Sequence, residues 1–117
     1  MLESGQSWRR QFEAHPASAR LVRRWAACRL EHPDAPQVAN ELFVSILAAG
    51  GPAVEMTLST AGPRSRITAV GSRALSLLHS HGPGYLIVSG LASVSGTRAD
   101  GLGVWAQLTT KDERSPA

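Results

Sequence analysis

Asn40-Glu41-Leu42-Phe43-Val44-Ser45-Ile46-Leu47-Ala48-Ala49-Gly50-Gly51 is the stretch whose reading decides the fold. It extends an apolar pattern that begins at Pro36 and Val38, and it stops at Gly50-Gly51-Pro52. Proline is tolerated in a first helical turn, and glycine supplies the backbone conformation that ends a helix. The spacing therefore predicts a helix over 36–49. Leu42, Phe43, Val44, Ile46 and Leu47 make it apolar nearly all round, as expected of a helix buried between a sheet and another layer.

On the N-terminal side, residues 7–14 put Trp8, Arg10, Phe12 and Ala14 on one face of a strand, with an imperfect alternation that suits a sheet edge. His15-Pro16 opens a helix to about Leu30, on which Ala17, Leu21, Trp25 and Cys28 share a face. Arg20, Arg23 and Arg24 lie on another face, read either as a solvated surface or as a partner-binding patch. Residues 31–36, with two prolines and two acids, connect the two helices. On the C-terminal side, Val54, Met56 and Leu58 alternate with Glu55, Thr57 and Ser59, the clearest strand signal in the chain. A turn at 61–64 leads to a second strand ending at Val70, and the two form an antiparallel hairpin. Residues 71–84 read as a long loop carrying a helical turn. A third helix is predicted from Tyr85 to about Ser93, then a hairpin of 94–98 with 102–110 around Ala99-Asp100-Gly101.

The order segregates helices from hairpins. It predicts an α+β, two-layer sandwich with a mixed, mostly antiparallel sheet of about five strands and about three helices on one face. A chain of 117 residues suffices for one domain, here 7–110, with flexible tails at 1–6 and 111–117. The hydrophobic share of 43% is that of a chain able to bury a core rather than a disordered one. The net charge of +3 would suit nucleic acid, but the excess is small, 12 basic residues against 9 acids, with Lys111 the sole lysine. Nucleic acid is therefore not the expected partner. Cys28 is the single cysteine, so no intramolecular disulfide can form, and the expected location is the cytoplasm. No apolar run reaches 18 residues, and 1–7 lack the basic and apolar regions of a signal peptide, so no membrane association is expected.

Asn40 to Gly51 aligns without a gap to the pattern Ser-Glu-Leu-Val-Thr-Asn-Ala-Val-Arg-His-Gly-Gly. Phe12 through Trp25 resembles a strand leading into an Ala-Arg-rich helix with a Trp, and Gly101-Leu102-Gly103-Val104-Trp105-Ala106 resembles a closing Gly-x-x-Val-Trp-Ala strand. Together, over residues 8–109, these motifs are similar to those of the small actinobacterial histidine-kinase-like ATPases and anti-sigma factor kinases, members of the Bergerat ATP-binding fold. The resemblance implies a nucleotide site. It puts Glu41 at the catalytic glutamate and Ser45 at the asparagine that coordinates Mg²⁺. Ala48-Ala49 stands at an Arg-His pair. Gly71 takes the place of the aspartate that reads the adenine amino group, and Gly103 that of the threonine supporting it. Gly82-Pro83-Gly84 replaces a Gly-Arg-Gly phosphate cradle, and its proline removes one amide donor.

Losing both members of a base-reading pair is easier than losing one, because an unpaired buried polar group costs about 1–3 kcal/mol. The resemblance therefore implies a pseudo-ATPase with no catalytic residue, no ATP or Mg²⁺ cofactor and no metal. Glu41, Ser45, Gly71, Gly82, Gly84 and Gly103 would be vestigial pocket positions, with Ser45 the weak metal candidate. Such a protein acts by contact with a sigma factor, an anti-sigma antagonist or another transcription regulator, in transcriptional or developmental control. Arg20, Arg23, Arg24, Trp8 and Phe12 are the partner-binding candidates, and a homodimer through the edge strand is a further expectation. One alternative is an active ATP-binding serine kinase with Glu41 as base. Another is a basic DNA-binding accessory using Arg9, Arg10, Arg20, Arg23 and Arg24. Each position also has a structural reading: Glu41 as a helix-end or hydrogen-bonded residue, His79 and His81 as loop histidines, and Trp8, Trp25 and Trp105 as core or interface aromatics. Ser45 and Ser72 lack the His-Asp arrangement of a nucleophile.

Overall fold

A computed structural model describes residues 5–75 and 83–110. Its elements run β1 (Gln6–Glu13), α1 (Ser18–Arg29), α2 (Ala35–Ala49), β2 (Ala53–Ala61), β3 (Arg64–Val70), α3 (Pro83–Leu91), β4 (Val94–Thr97) and β5 (Gly103–Thr109). The five strands form one sheet in the order β1-β2-β3-β5-β4. All four pairings are antiparallel, so the sheet has no parallel member. The α+β, two-layer architecture expected from the sequence is the one observed. The expected tails fall largely on 1–4 and 111–117, outside the described residues, as do 76–82 of the expected loop.

Alternation fixes which face of the sheet is covered. Val54, Met56 and Leu58 of β2 are fully buried, and the register sets them beside Phe12 on one side and Ala69 and Ile67 on the other. Val104 and Ala106 continue these rows on β5. The opposite face carries the row Arg9, Thr57, Thr68, Trp105 and Gly96 across all five strands. There the Arg66 guanidinium stacks 4.0 Å from the centre of the Trp105 ring, a cation–π contact that also shields the indole.

α2 is the central helix. It buries Ala35, Val38, Ala39, Leu42, Phe43 and Ile46 and packs on the sheet, on α1 and on α3. Pro36 stands in its first turn, and Gly50 ends it at φ 94°, both as the sequence implies. Val44, at 41% exposure, escapes burial, so the helix is less enclosed than its sequence suggests. Two His-Pro dipeptides start the helical layer in the same way. The Ala17 amide donates to His15 Nδ1 at 3.0 Å, and the Asp34 amide donates to His32 Nδ1 at 3.1 Å. Each imidazole satisfies one donor that a helix start leaves unpaired.

α1 corrects the sequence reading. Its buried stripe is Ser18, Val22, Trp25 and Ala26. Ala17 and Cys28 are exposed, and Leu21 is 44% exposed. The packed face is thus turned by one residue, and only Trp25 belongs to both sets. Pro16 sits in the turn before α1, not at its first helical position. Phe12 is also corrected as a partner contact. It is 4% exposed and meets Trp25 and Phe43 edge-on at 5.5 and 6.4 Å. Arg10 covers the ring from outside at 4.7 Å, and Arg29 lies 5.9 Å from the Trp8 ring, so the stems of two arginines finish the core at this edge.

Phe12→Ala should cost about 3–5 kcal/mol in urea unfolding, as for a buried aromatic. Trp8→Ala, at a half-buried ring, should cost under about 2 kcal/mol. Equal, small losses at both positions would remove Phe12 from the core.

Candidate functional site

The positions to which the sequence points fall into two groups. Glu41 and Ser45 lie one turn apart on α2 and face the start of α3 at Gly84. Were a Cβ present at 84, it would sit 3.0 Å from Glu41 Oε1 and 3.7 Å from Ser45 Oγ. Gly103 pairs with Val70 at the end of the β3–β5 ladder, and Gly71 follows Val70 directly. Gly82, His79 and His81 lie outside the described residues.

The Glu41 and Ser45 side chains are both engaged. The Ser45 hydroxyl donates to the Glu41 carbonyl at 3.0 Å, the backward bond that helical serines make to the preceding turn. Glu41 Oε2 accepts from Gln37 Nε2 at 2.7 Å and from Asn40 Nδ2 at 3.3 Å. Asn40 in turn accepts from Arg23 Nη1 at 2.7 Å. Arg23 of α1 is thereby tied to α2 rather than presented to solvent alone. The other carboxylate oxygen of Glu41 lies against the first turn of α3, which has no acidic residue of its own there. A helix start carries partial positive charge and favours an anion. Here the chain's own carboxylate lies beside that turn, and a phosphate arriving there would meet a negative charge.

The two glycines are places of close approach. A Cβ on Gly71 would stand 2.6 Å from Ile46 Cγ2. One on Gly103 would stand 2.7 Å from the Ala69 carbonyl oxygen and 2.9 Å from Arg98 Cδ. The Gly71 amide donates to the Leu102 carbonyl at 2.9 Å, and the Arg98 amide donates to the Gly103 carbonyl at 2.9 Å. Backbone and the Ile46 side chain thus fill the space that side chains at 71 and 103 would need. Gly71 has its own packing reason, which the sequence alone presents only as a missing polar group.

A pocket of about 220 Å³ remains between α2, α3 and the β4–β5 hairpin. Leu42, Val88 and Val104 give it apolar walls, and Ser45, Ser95 and Thr97 give it hydroxyls. It is smaller than the roughly 300–1,000 Å³ usual for drug-sized ligands. Sequence reasoning missed Val88, Ser95 and Thr97. The available signal was the inverted pattern of 94–97, with serine and threonine at core-side positions and Val94 outside.

The other candidates do not converge here. Trp8 and Phe12 are on the distant edge strand β1, while exposed Arg20 and Arg24 lie on α1. Arg9 and Arg10 occupy opposite faces of β1, so the five arginines of the DNA reading do not form one surface. Among the described residues, no group of three or more His, Cys, Asp or Glu could hold a metal ion, and no helix is long and apolar enough to cross a membrane. No protein-family model matches the sequence, and comparison with curated proteins finds no match.

Gly71→Ala should destabilise the fold by about 1–3 kcal/mol, the usual cost of overpacking. In an Ile46→Ala background the same substitution should cost clearly less, because neighbouring sites couple. Strict additivity of the two in urea unfolding would refute the contact.

Proposed function

We propose that this chain is a degenerate relative of the histidine-kinase-like ATPases, a pseudo-ATPase that acts by protein contact and uses no nucleotide. What carries the reading is the pair Gly71 and Gly103. The space beside them, where the resemblance sets its adenine-reading side chains, is taken by Ile46 and by the Ala69 carbonyl. One further observation supports it. Glu41 stands beside the α3 start, where a phosphate would meet its negative charge.

The partner in this proposal is a sigma factor, an anti-sigma antagonist or a similar transcription regulator in the cytoplasm. The helical layer is the surface with the chemistry for it. Arg20 and Arg24 are exposed on α1 around Leu21, a basic ridge with an apolar centre that suits an acidic helix. Charge of this kind governs encounter rate and choice of partner more than affinity.

Calorimetric titration with Mg-ATP and Mg-ADP should give no binding up to about 1 mM, the weak end of specific recognition. Micromolar binding selective for adenine would end the proposal. In cells, the Arg20→Glu, Arg24→Glu double variant should reproduce the transcript changes of a deletion, while Glu41→Gln should behave as wild type. The reverse pattern, with Glu41→Gln defective and the charge reversal silent, would favour the kinase.

A further inference from the structure

The pocket between α2, α3 and the β4–β5 hairpin has a chemistry of its own, and it goes beyond the contact reading above. β4 inverts the usual strand pattern. Its residues on the helix side are Ser95 and Thr97, paired with the core residues Ala106 and Val104, while Val94 is 47% exposed on the outer face. A strand that only closed a core would carry its apolar residues inward. Among the described residues, the Ser95 and Thr97 hydroxyls have no hydrogen-bond partner. Ser45 donates to its own helix, which leaves its oxygen lone pairs able to accept. Three hydroxyls therefore line a space whose other walls include the almost fully buried Leu42, Val88 and Val104, with Tyr85 and Trp105 at its rim. Ser95 is half-buried and Thr97 exposed at its mouth.

Size and charge narrow the occupant. The pocket measures about 220 Å³. An apolar cavity of about 150 Å³ already accommodates benzene, so one ring with one small polar substituent fits and a nucleotide does not. Among the described residues no basic or acidic side chain lines the space, and the nearby Glu41 carboxylate opposes an anion. Burying an unpaired charge against Leu42, Val88 and Val104 is costly, whereas a neutral group that both donates and accepts can satisfy the hydroxyls.

We propose that this pocket is a binding site for a small, uncharged, single-ring molecule bearing an amide or hydroxyl group. Occupancy would bridge β4 to α2 and α3, so such a molecule would act on the arrangement of the helical layer. The site does not depend on whether the protein binds a transcription regulator.

The probes are benzamide and its charged isostere benzoate, titrated into the full ¹⁵N-labelled chain. Benzamide should shift the amides of Ser45, Gly84, Ser95, Gly96 and Thr97 saturably, with a dissociation constant at or below about 1 mM. Benzoate should bind at least about tenfold more weakly, because its charge has no partner there. The Ser95→Ala, Thr97→Val double variant should weaken benzamide about tenfold through loss of two hydroxyls. Absence of a saturable shift at those amides overturns the proposal, and so does equal binding of benzamide and benzoate. An undiminished affinity in a folded double variant also overturns it. If that variant does not fold, the comparison of the two probes on the wild-type chain decides alone. Mg-ADP, run beside them, separates this site from the nucleotide question.

Discussion

The structure depends on α2 lying flat enough on the sheet to bury Phe43 and Ile46, and Gly71 is what lets it do so. Six residues of α2 are buried, and each large apolar side chain removed from water contributes about 1.5–3 kcal/mol. Among the described residues α2 makes the main helix contacts with the sheet and also packs on both α1 and α3. At the C-terminal end of that contact, Ile46 Cγ2 fills the space a side chain at 71 would claim. Anything larger than glycine there must push back α2, the element on which both helical neighbours rest.

That constraint connects packing to chemistry. A pocket beside α2 can be opened by side chains that hold strand and helix apart, or closed by letting them meet. At Gly71 and Gly103 this chain has let them meet. At β4 it has not, since Ser95 and Thr97 are too short and too polar to close the gap to Val88 and Leu42. Among the described residues, the remaining cavity is the part of the interlayer space that Leu42, Val88 and Val104 line but do not fill. Glu41 belongs to the closed part. With Gln37 and Asn40 on one oxygen and α3 against the other, it joins two helices, and Arg23 extends the link through Asn40 to the third.

Much of the fold was legible because its signals are local. The alternation of Val54, Met56 and Leu58 fixes a face without reference to anything else, and Pro36 and Gly50 mark a helix by backbone geometry alone. The phase of α1 was not legible. Leu21 and Val22 are adjacent, and stripes through either one include Trp25, so helical periodicity leaves two solutions. Tertiary contact selects Val22 and Ala26, whose small side chains let α1 approach α2 closely. The burial of Phe12 was hidden for a related reason: a strand at a sheet edge is exposed along its hydrogen-bonding rim but still has a covered face. Gly71 and Gly103 carry no side chain from which to read a contact, and the His15 and His32 caps look like ordinary connector residues until the imidazoles are placed. The pocket hydroxyls were within reach, because 94–97 departs from the inward-apolar rule that β2, β3 and β5 keep over most of their length.

The two edges of the sheet bear on self-association. β4 ends the sheet with only four residues, which leaves little to pair with, a common means of blunting an edge. β1 is eight residues long and is the edge on which a homodimer through strand pairing would be built. A two-fold antiparallel pairing keeps directly opposed residues on one face, so the two registers that use nearly all of Gln6–Glu13 set Arg9 opposite Arg9 of the second copy (6 against 12) or Arg10 opposite Arg10 (7 against 13). Like charges directly across strands are destabilising, and either register places such a pair on the axis. Arg10 is also occupied in covering Phe12, so it cannot turn away without uncovering the core. The charge that seals the aromatic cluster thus also guards the edge.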